Sequence, residues 1–292
     1  MIPDHLVHEL RYIELRAARR IRSLRVGSYT SPLRGEGFDF DQHRPYRPGD
    51  DVRRIDWNAT ARLGAAFLRQ TRAERELHMV LAGDLSRSMR FGSARRSKHE
   101  ALMLVTASLL FSALKDQISS GVLGFTDQVL DWTAPISDKP AAWSALTRLW
   151  AIKTPGRKTA VRPAVQHLLR TLKRTTMVVL VSDFQTDEDL SAFPELGMLA
   201  ARHDVIAVVL EDPAETRLPS GAGFVHLRDL ESDAEITVGL SHEARELYAR
   251  SIEQRRAELR KMFYRTGVDH IFVNTQRDVV EPLMLVFDGR KS

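Results

Sequence analysis

Residues 79–89 read Met79-Val80-Leu81-Ala82-Gly83-Asp84-Leu85-Ser86-Arg87-Ser88-Met89, a short apolar run that stops on an aspartate followed by two serines at alternate positions. Residues 177–184, Met177-Val178-Val179-Leu180-Val181-Ser182-Asp183-Phe184, repeat the theme with the most apolar run in the chain, again ending on an aspartate. Runs of this length, continuous rather than alternating, read as strands buried on both faces, the mark of a parallel sheet covered by helices. The intervening sequence agrees. Helical patterns at 98–115, 140–150, 161–173, 190–202 and 241–265 alternate with apolar runs at 121–125, 129–132, 205–210 and 268–274. Gly267 stands where a helix C-cap is expected. Residues 211–240 form a longer excursion with a hairpin over 224–238, and a last helix is expected over 279–287. The fold class is therefore α/β, doubly wound and mostly parallel.

Ligands of such sheets bind beyond the carboxyl ends of the strands, which selects the loops opened by Asp84 and Asp183. In the first loop a turn directs Asp84, Ser86 and Ser88 inward while Leu85 and Arg87 point away. Hard oxygen donors of this kind suit Mg²⁺, which takes octahedral geometry at about 2.1 Å and keeps some of its waters. Asp183 adds a second carboxylate. Gly156-Arg157-Lys158-Thr159 lies between the two loops and brings a third hydroxyl, that of Thr159. The helix that follows the first loop adds an N-terminal dipole favourable to an anion. Neutral hydroxyls leave the ion electrophilic, with an open position that a carboxylate from another protein fills. A lone Asp-x-Ser-x-Ser loop is also what caps and turns use. The preceding strand, the second aspartate and the Gly-x-x-Thr segment set this one apart.

Upstream of residue 77 the pattern changes, so the chain divides into residues 1–76 and 77–292. Leu6, Leu10, Ile13, Ala17, Ile21 and Leu24 fall at helical spacing and mark an amphipathic helix over 4–25. Residues 26–50, rich in Gly and Pro, read as an irregular loop; a short helix follows over 57–62 and an extended segment over 65–71.

Composition narrows the function. The absence of cysteine from the 292 residues excludes disulfides, thiolate zinc sites and cysteine nucleophiles, and suits a reducing cytosol. The first twenty residues alternate apolar and charged positions, unlike a signal peptide, and no window approaches the roughly 18 apolar residues of a membrane span; a cytoplasmic protein without membrane association is expected. The net charge is +5, but arginines and acids interleave as on a solvated surface and no nucleic-acid motif accompanies them, so nucleic acid is not expected as a partner. The chain lacks a phosphate-binding Gly-x-x-x-x-Gly-Lys loop, a His-Glu-x-x-His zinc helix and a Gly-x-Ser-x-Gly elbow. Two alternatives stay open beside an interaction module: a metal-dependent phosphohydrolase on a similar sheet, although Ser86 stands where a phosphoaspartate enzyme needs a second carboxylate, and nucleic-acid binding through the basic N-terminal helix.

The Asp84-x-Ser86-x-Ser88 loop, Thr159 and Asp183 resemble the metal-ion-dependent adhesion site of von Willebrand factor A domains. That resemblance implies a Rossmann-like sheet of that type, with the N-terminal helical and irregular extension packed on it. It also implies a site of Asp84, Ser86, Ser88, Thr159 and Asp183 for Mg²⁺, or another divalent cation such as Mn²⁺ or Ca²⁺. The upstream stretch is more distinctive: Gly35-Glu36-Gly37-Phe38-Asp39-Phe40, then Arg44-Pro45-Tyr46-Arg47-Pro48-Gly49-Asp50-Asp51-Val52-Arg53-Arg54-Ile55-Asp56-Trp57, then Thr60-Ala61-Arg62. It closely resembles the bacterial family called domain of unknown function 58. The resemblance implies a role beside MoxR-type AAA+ ATPases, often with other von Willebrand A-like proteins, in chaperoning or assembling complexes; with the catalytic motifs lacking, no enzymatic activity is expected. In this stretch Pro48-Gly49 reads as a tight turn, the aspartates and arginines as a charge-assisted network, and Trp57 as an apolar anchor. Together they read as a clamp holding the N-terminal region on the sheet, with a docking surface as the second reading.

Overall fold

The computed structural model describes residues 2–20, 39–47, 50–72, 77–154, 158–186, 188–189, 193–228, 230 and 233–283. The chain forms two units, one of Met1–Val26 with Leu77–Ser292 and the other of Gly27–Glu76. The large unit begins with helix α1 (Asp4–Arg20), whose Leu6 and Leu10 are fully buried.

The small unit holds strand β1 (Asp39–Pro45), helix α2 (Trp57–Leu63) and strand β2 (Phe67–Arg72), with β1 and β2 antiparallel. The sequence presents 39–45 as part of an irregular loop, because Asp-Phe-Asp-Gln-His-Arg-Pro lacks an alternating apolar face; the strand arises from backbone pairing with β2. The aspartates of the distinctive stretch act as local caps. Asp50 accepts the Arg47 N–H at 2.8 Å and Asp51 the Arg53 N–H at 3.0 Å. Asp56 N-caps α2 by accepting from Asn58 and Ala59, each at 3.0 Å. Trp57, expected to be an apolar anchor, is 69% exposed. Pro48-Gly49 and residues 35–38 lie outside the described residues.

In the large unit β3 (His78–Asp84) leads into α3 (Lys98–Lys115), β4 (Ser119–Phe125), β5 (Val129–Ile136), α4 (Lys139–Ala151), α5 (Arg162–Thr171), β6 (Met177–Ser182), α6 (Pro194–Arg202) and β7 (Asp204–Glu211). A single-turn helix α7 (Pro213–Thr216), a hairpin of β8 (Phe224–Arg228) and β9 (Glu235–Gly239), the long α8 (His242–Thr266) and β10 (Asp269–Asn274) complete it. The helix expected over 279–287 lies largely outside the described residues.

The main sheet runs β10-β7-β6-β3-β4-β5, parallel throughout except for the antiparallel edge strand β5. Alternate residues of each strand serve two cores. Met79, Leu81, Val179 and Val181 pack with α1, α3 and α4; Val80, Ala82, Val178 and Leu180 pack with α5, α6 and α8. This two-sided burial is why residues 79–82 of β3 and 177–181 of β6 are apolar at every position. Helix α3 is buried almost all round, because it lies between the sheet and α1. Gly83 permits its approach: a Cβ there would stand 2.9 Å from Leu102 Cδ1. At its end α8 relies on Gly267, which takes φ +70° in the left-handed region. Among the described residues no helix is long and apolar enough to cross a membrane.

Leu102 is fully buried at the α3–β3 contact. Leu102→Ala is expected to lower unfolding free energy by about 2–5 kcal/mol in urea titrations. A loss under about 1 kcal/mol would mean that this contact is not packed as described.

Candidate metal centre

Strand order fixes where the site lies. From β3 the chain continues outward on one side through β4 and β5, then returns to the other side of β3 with β6. Helical connections diverge at this switch point and leave a crevice beyond the strand ends. Asp84 ends β3 and Asp183 follows the last residue of β6, with Gly83 and Val181 paired in register. Two acids that are 99 positions apart in sequence (183 − 84) thus meet at adjacent strand tips.

The first loop turns as the alternation of donors requires. The Ser86 N–H donates to Asp84 Oδ1 at 2.8 Å, which brings the hydroxyls of Ser86 and Ser88 to 3.1 Å from each other. Ser88 Oγ lies 3.4 Å from Thr159 Oγ1. Leu85 points into the core and Arg87 away to Asp233 at 2.9 Å. Thr159 is held in place by its carbonyl, which accepts from Thr186 Oγ1 at 2.8 Å. From β6, Ser182 Oγ donates to Asp84 Oδ2 at 2.5 Å, and the Gln185 N–H donates to Asp183 Oδ1 at 2.9 Å. Phe184, between them, sits at φ +51°, where a non-glycine residue stores strain on the order of 1–3 kcal/mol. Its N–H bonds Ser182 Oγ at 2.9 Å, and its ring meets Phe263 edge-on at 5.3 Å. Asp84, Ser86, Ser88, Thr159 and Asp183 are all buried, and the structure gathers them at one place.

This geometry suits a small hard cation. Neighbouring oxygen ligands of an octahedral ion at about 2.1 Å lie about 3.0 Å apart, close to the Ser86–Ser88 spacing. Among the described residues no three His, Cys, Asp or Glu side chains converge as a metal-binding set, and a cation at this cluster would draw on the hydroxyls as well.

The charge pattern contains a residue that the sequence reading missed. The helix after the loop does not offer an open N-terminus. It starts at Lys98, and Ser97 and Glu100 close a capping box over it, so its dipole is already answered. The helix delivers a cation instead. Lys98 is fully buried, and its Nζ donates to Asp183 Oδ2 at 2.6 Å and to Glu215 Oε1 at 2.7 Å. Burial works against its charge, but the two carboxylates hold its pKa above the ordinary value. Burial likewise raises Glu215 in spite of Lys98. Burial, and then the charge of Asp183, push Asp84 up to about 7. Arg255 brings a second cation to the same place, its Nη2 donating to the Asp183 carbonyl at 2.8 Å, so Asp84, Asp183 and Glu215 stand beside two cations. No local signal betrays Lys98, since a lysine in Ser-Lys-His-Glu at a helix start reads as solvated.

The family model described as Protein of unknown function DUF58 matches residues 42–258. Uncharacterized proteins of Mycobacterium tuberculosis and Mycobacterium bovis are each 30% identical over 294 residues, covering 98% of this chain and 90% of the relative. Among solved structures, the conserved hypothetical protein BatB from Bacteroides thetaiotaomicron is similar at 15% identity and TM-score 0.45, over 73% of this chain and 98% of that one. A von Willebrand factor type A structure from Catenulispora acidiphila is similar at 16% identity and TM-score 0.36, over 62% and 43%.

Two outcomes follow from the charge pattern. Lys98→Met leaves buried carboxylates unpaired and is expected to cost about 3–5 kcal/mol in denaturant unfolding of the metal-free protein; a cost under about 1 kcal/mol would mean that the buried pairs do not form. Asp84 has a folded pKa above its unfolded one, so its destabilisation is absent below about pH 4, grows up to about pH 7 and is constant above. In chelator, Asp84→Asn should therefore be more stable than the natural chain at about pH 8, with the gap closing near pH 4. A gap that does not change with pH contradicts this.

Proposed function

The chain belongs to the Protein of unknown function DUF58 family, and from that premise we propose that it is a non-enzymatic interaction module that grips a partner protein through a divalent cation. The observation that carries the reading is the convergence, at the switch point of the sheet, of three hydroxyls and two carboxylates in one buried cluster. Asp84, Ser86, Ser88 and Thr159 would hold the ion together with Asp183, the latter directly or through water. When bound, a Mg²⁺ ion supplies a positive charge that attracts an anionic oxygen. The protein residues do the rest. Ser182 and the Ser86 N–H aim the Asp84 carboxylate, and Lys98 restrains Asp183, so little reorganisation is left for the moment of binding. Ser88 also lines a groove, the side from which a partner's Asp or Glu would approach.

A binding role rather than phosphoryl chemistry is supported by Ser86, which stands where a phosphoaspartate mechanism needs a carboxylate. The resemblance to domain of unknown function 58 supports a place beside a MoxR-type AAA+ ATPase and other von Willebrand A-like proteins, with the present chain as the adaptor that selects what is assembled; the absence of cysteine suits a cytoplasmic setting.

The test is capture from native cytoplasm on the immobilised protein, in Mg²⁺ and in EDTA. Mg²⁺ should raise recovery of a partner at least tenfold (about 1.4 kcal/mol), and Asp84→Ala should abolish that gain while leaving circular dichroism unchanged. Equal capture in EDTA contradicts the metal bridge.

A further inference from the structure

Beside the metal loop the large unit opens a groove of about 1870 Å³. This exceeds the roughly 300–1,000 Å³ of small-molecule pockets and has room for a stretch of polypeptide. Its apolar lining comes from Ile252, Leu259 and Met262 of α8 and from Val225, Leu227 and Ile236 of the β8–β9 hairpin. Leu227 pairs with Ile236 across the hairpin, and Val225 with Val238, so these side chains share one face of the ribbon. A two-stranded ribbon is marginal unless such a face is covered, yet Ile236 is 62% exposed.

Three of the groove's acids face cations: Glu215 takes Lys98, Glu235 faces Arg228 and Glu188 lies 3.8 Å from Arg162. Glu258 accepts from the neutral Gln254 amide, and Asp189 also has a partner. Three of the groove's cations, Arg217, Lys261 and Arg265, have no side-chain partner among the described residues. Lys261 and Arg265 lie one turn apart on α8, on the same side of the helix. Ser88, at the metal loop, belongs to the same groove.

We propose that this groove is the docking site for an acidic, amphipathic segment of a partner protein. Aliphatic side chains of the segment cover the hairpin and α8, its carboxylates pair with Arg217, Lys261 and Arg265, and one further carboxylate reaches the Ser88 end. Only that last contact rests on the metal-dependent reading given above. The apolar face is what separates this site from a purely electrostatic one, and the unpaired cations decide the sign of the partner.

The test is selection of short random peptides on the immobilised full chain in Mg²⁺, followed by anisotropy titration of the fluorescein-labelled consensus peptide. The expected consensus interleaves Asp or Glu with Leu, Ile, Val or Phe. Ile236→Asp, or Lys261→Glu with Arg265→Glu, should weaken its binding at least tenfold (about 1.4 kcal/mol); all three positions are exposed, so the fold is spared. A basic consensus, no enrichment, or undiminished binding to these variants overturns the proposal. Sedimentation showing a dimer that Ile236→Asp dissolves would assign the groove to a second copy and also overturn it. If the groove variants weaken binding while EDTA and Asp84→Ala change nothing, the groove stands and the metal reading falls. If EDTA alone abolishes binding, the groove proposal falls and the metal reading stands.

Discussion

Two carboxylates forced together at neighbouring strand tips, away from water, set the terms for everything around them. Asp84 and Asp183 are fixed by the parallel pairing of β3 with β6, and neither can swing into solvent because both are buried. Burying one charge is costly and burying two of the same sign costs more. The fold meets this in part with Lys98, carried in at the first residue of α3, and in part with oriented hydroxyl and amide donors.

That constraint propagates outward. Glu215, the second partner of Lys98, sits on α7, which is capped by Asp212. Asp212 is itself buried, and it ties the exit of the loop after β3 to two strand ends: it accepts the Ser93 N–H at 2.9 Å, the Ser93 hydroxyl, and Thr275 Oγ1 at 3.2 Å just beyond β10. The site is therefore held from β3, β6, β7 and β10 at once. A crevice supported in this way needs little rearrangement to bind, and its cost is carried by the well-packed layers on either face of the sheet.

The fold was legible in the sequence wherever burial is two-sided. Runs such as Met177 to Val181 are apolar at every position because helices cover both faces, and the helical stretches follow from the same demand. Strand β1 escaped notice because its sequence, Asp-Phe-Asp-Gln-His-Arg-Pro, carries no apolar periodicity. Trp57, a large apolar side chain in the distinctive motif, is 69% exposed. At the site, Asp84, Ser86 and Ser88 were legible together because one turn carries them. Asp183 and Thr159 could be added because strand ends in such sheets converge. Lys98 and Glu215 were invisible because their meeting depends on how α3 and α7 are packed, which local sequence does not encode.

The central claim is that Asp84, Ser86, Ser88, Thr159 and Asp183 together seat one hard divalent ion. A crystal grown with Mn²⁺ and measured at the manganese absorption edge tests it most directly. The account predicts a single anomalous peak in the large unit, within coordinating reach of the Ser86 and Ser88 hydroxyls. Full-occupancy Mn²⁺ elsewhere with none at this cluster, or a cluster still bridged only by Lys98 at saturating Mn²⁺, would contradict it.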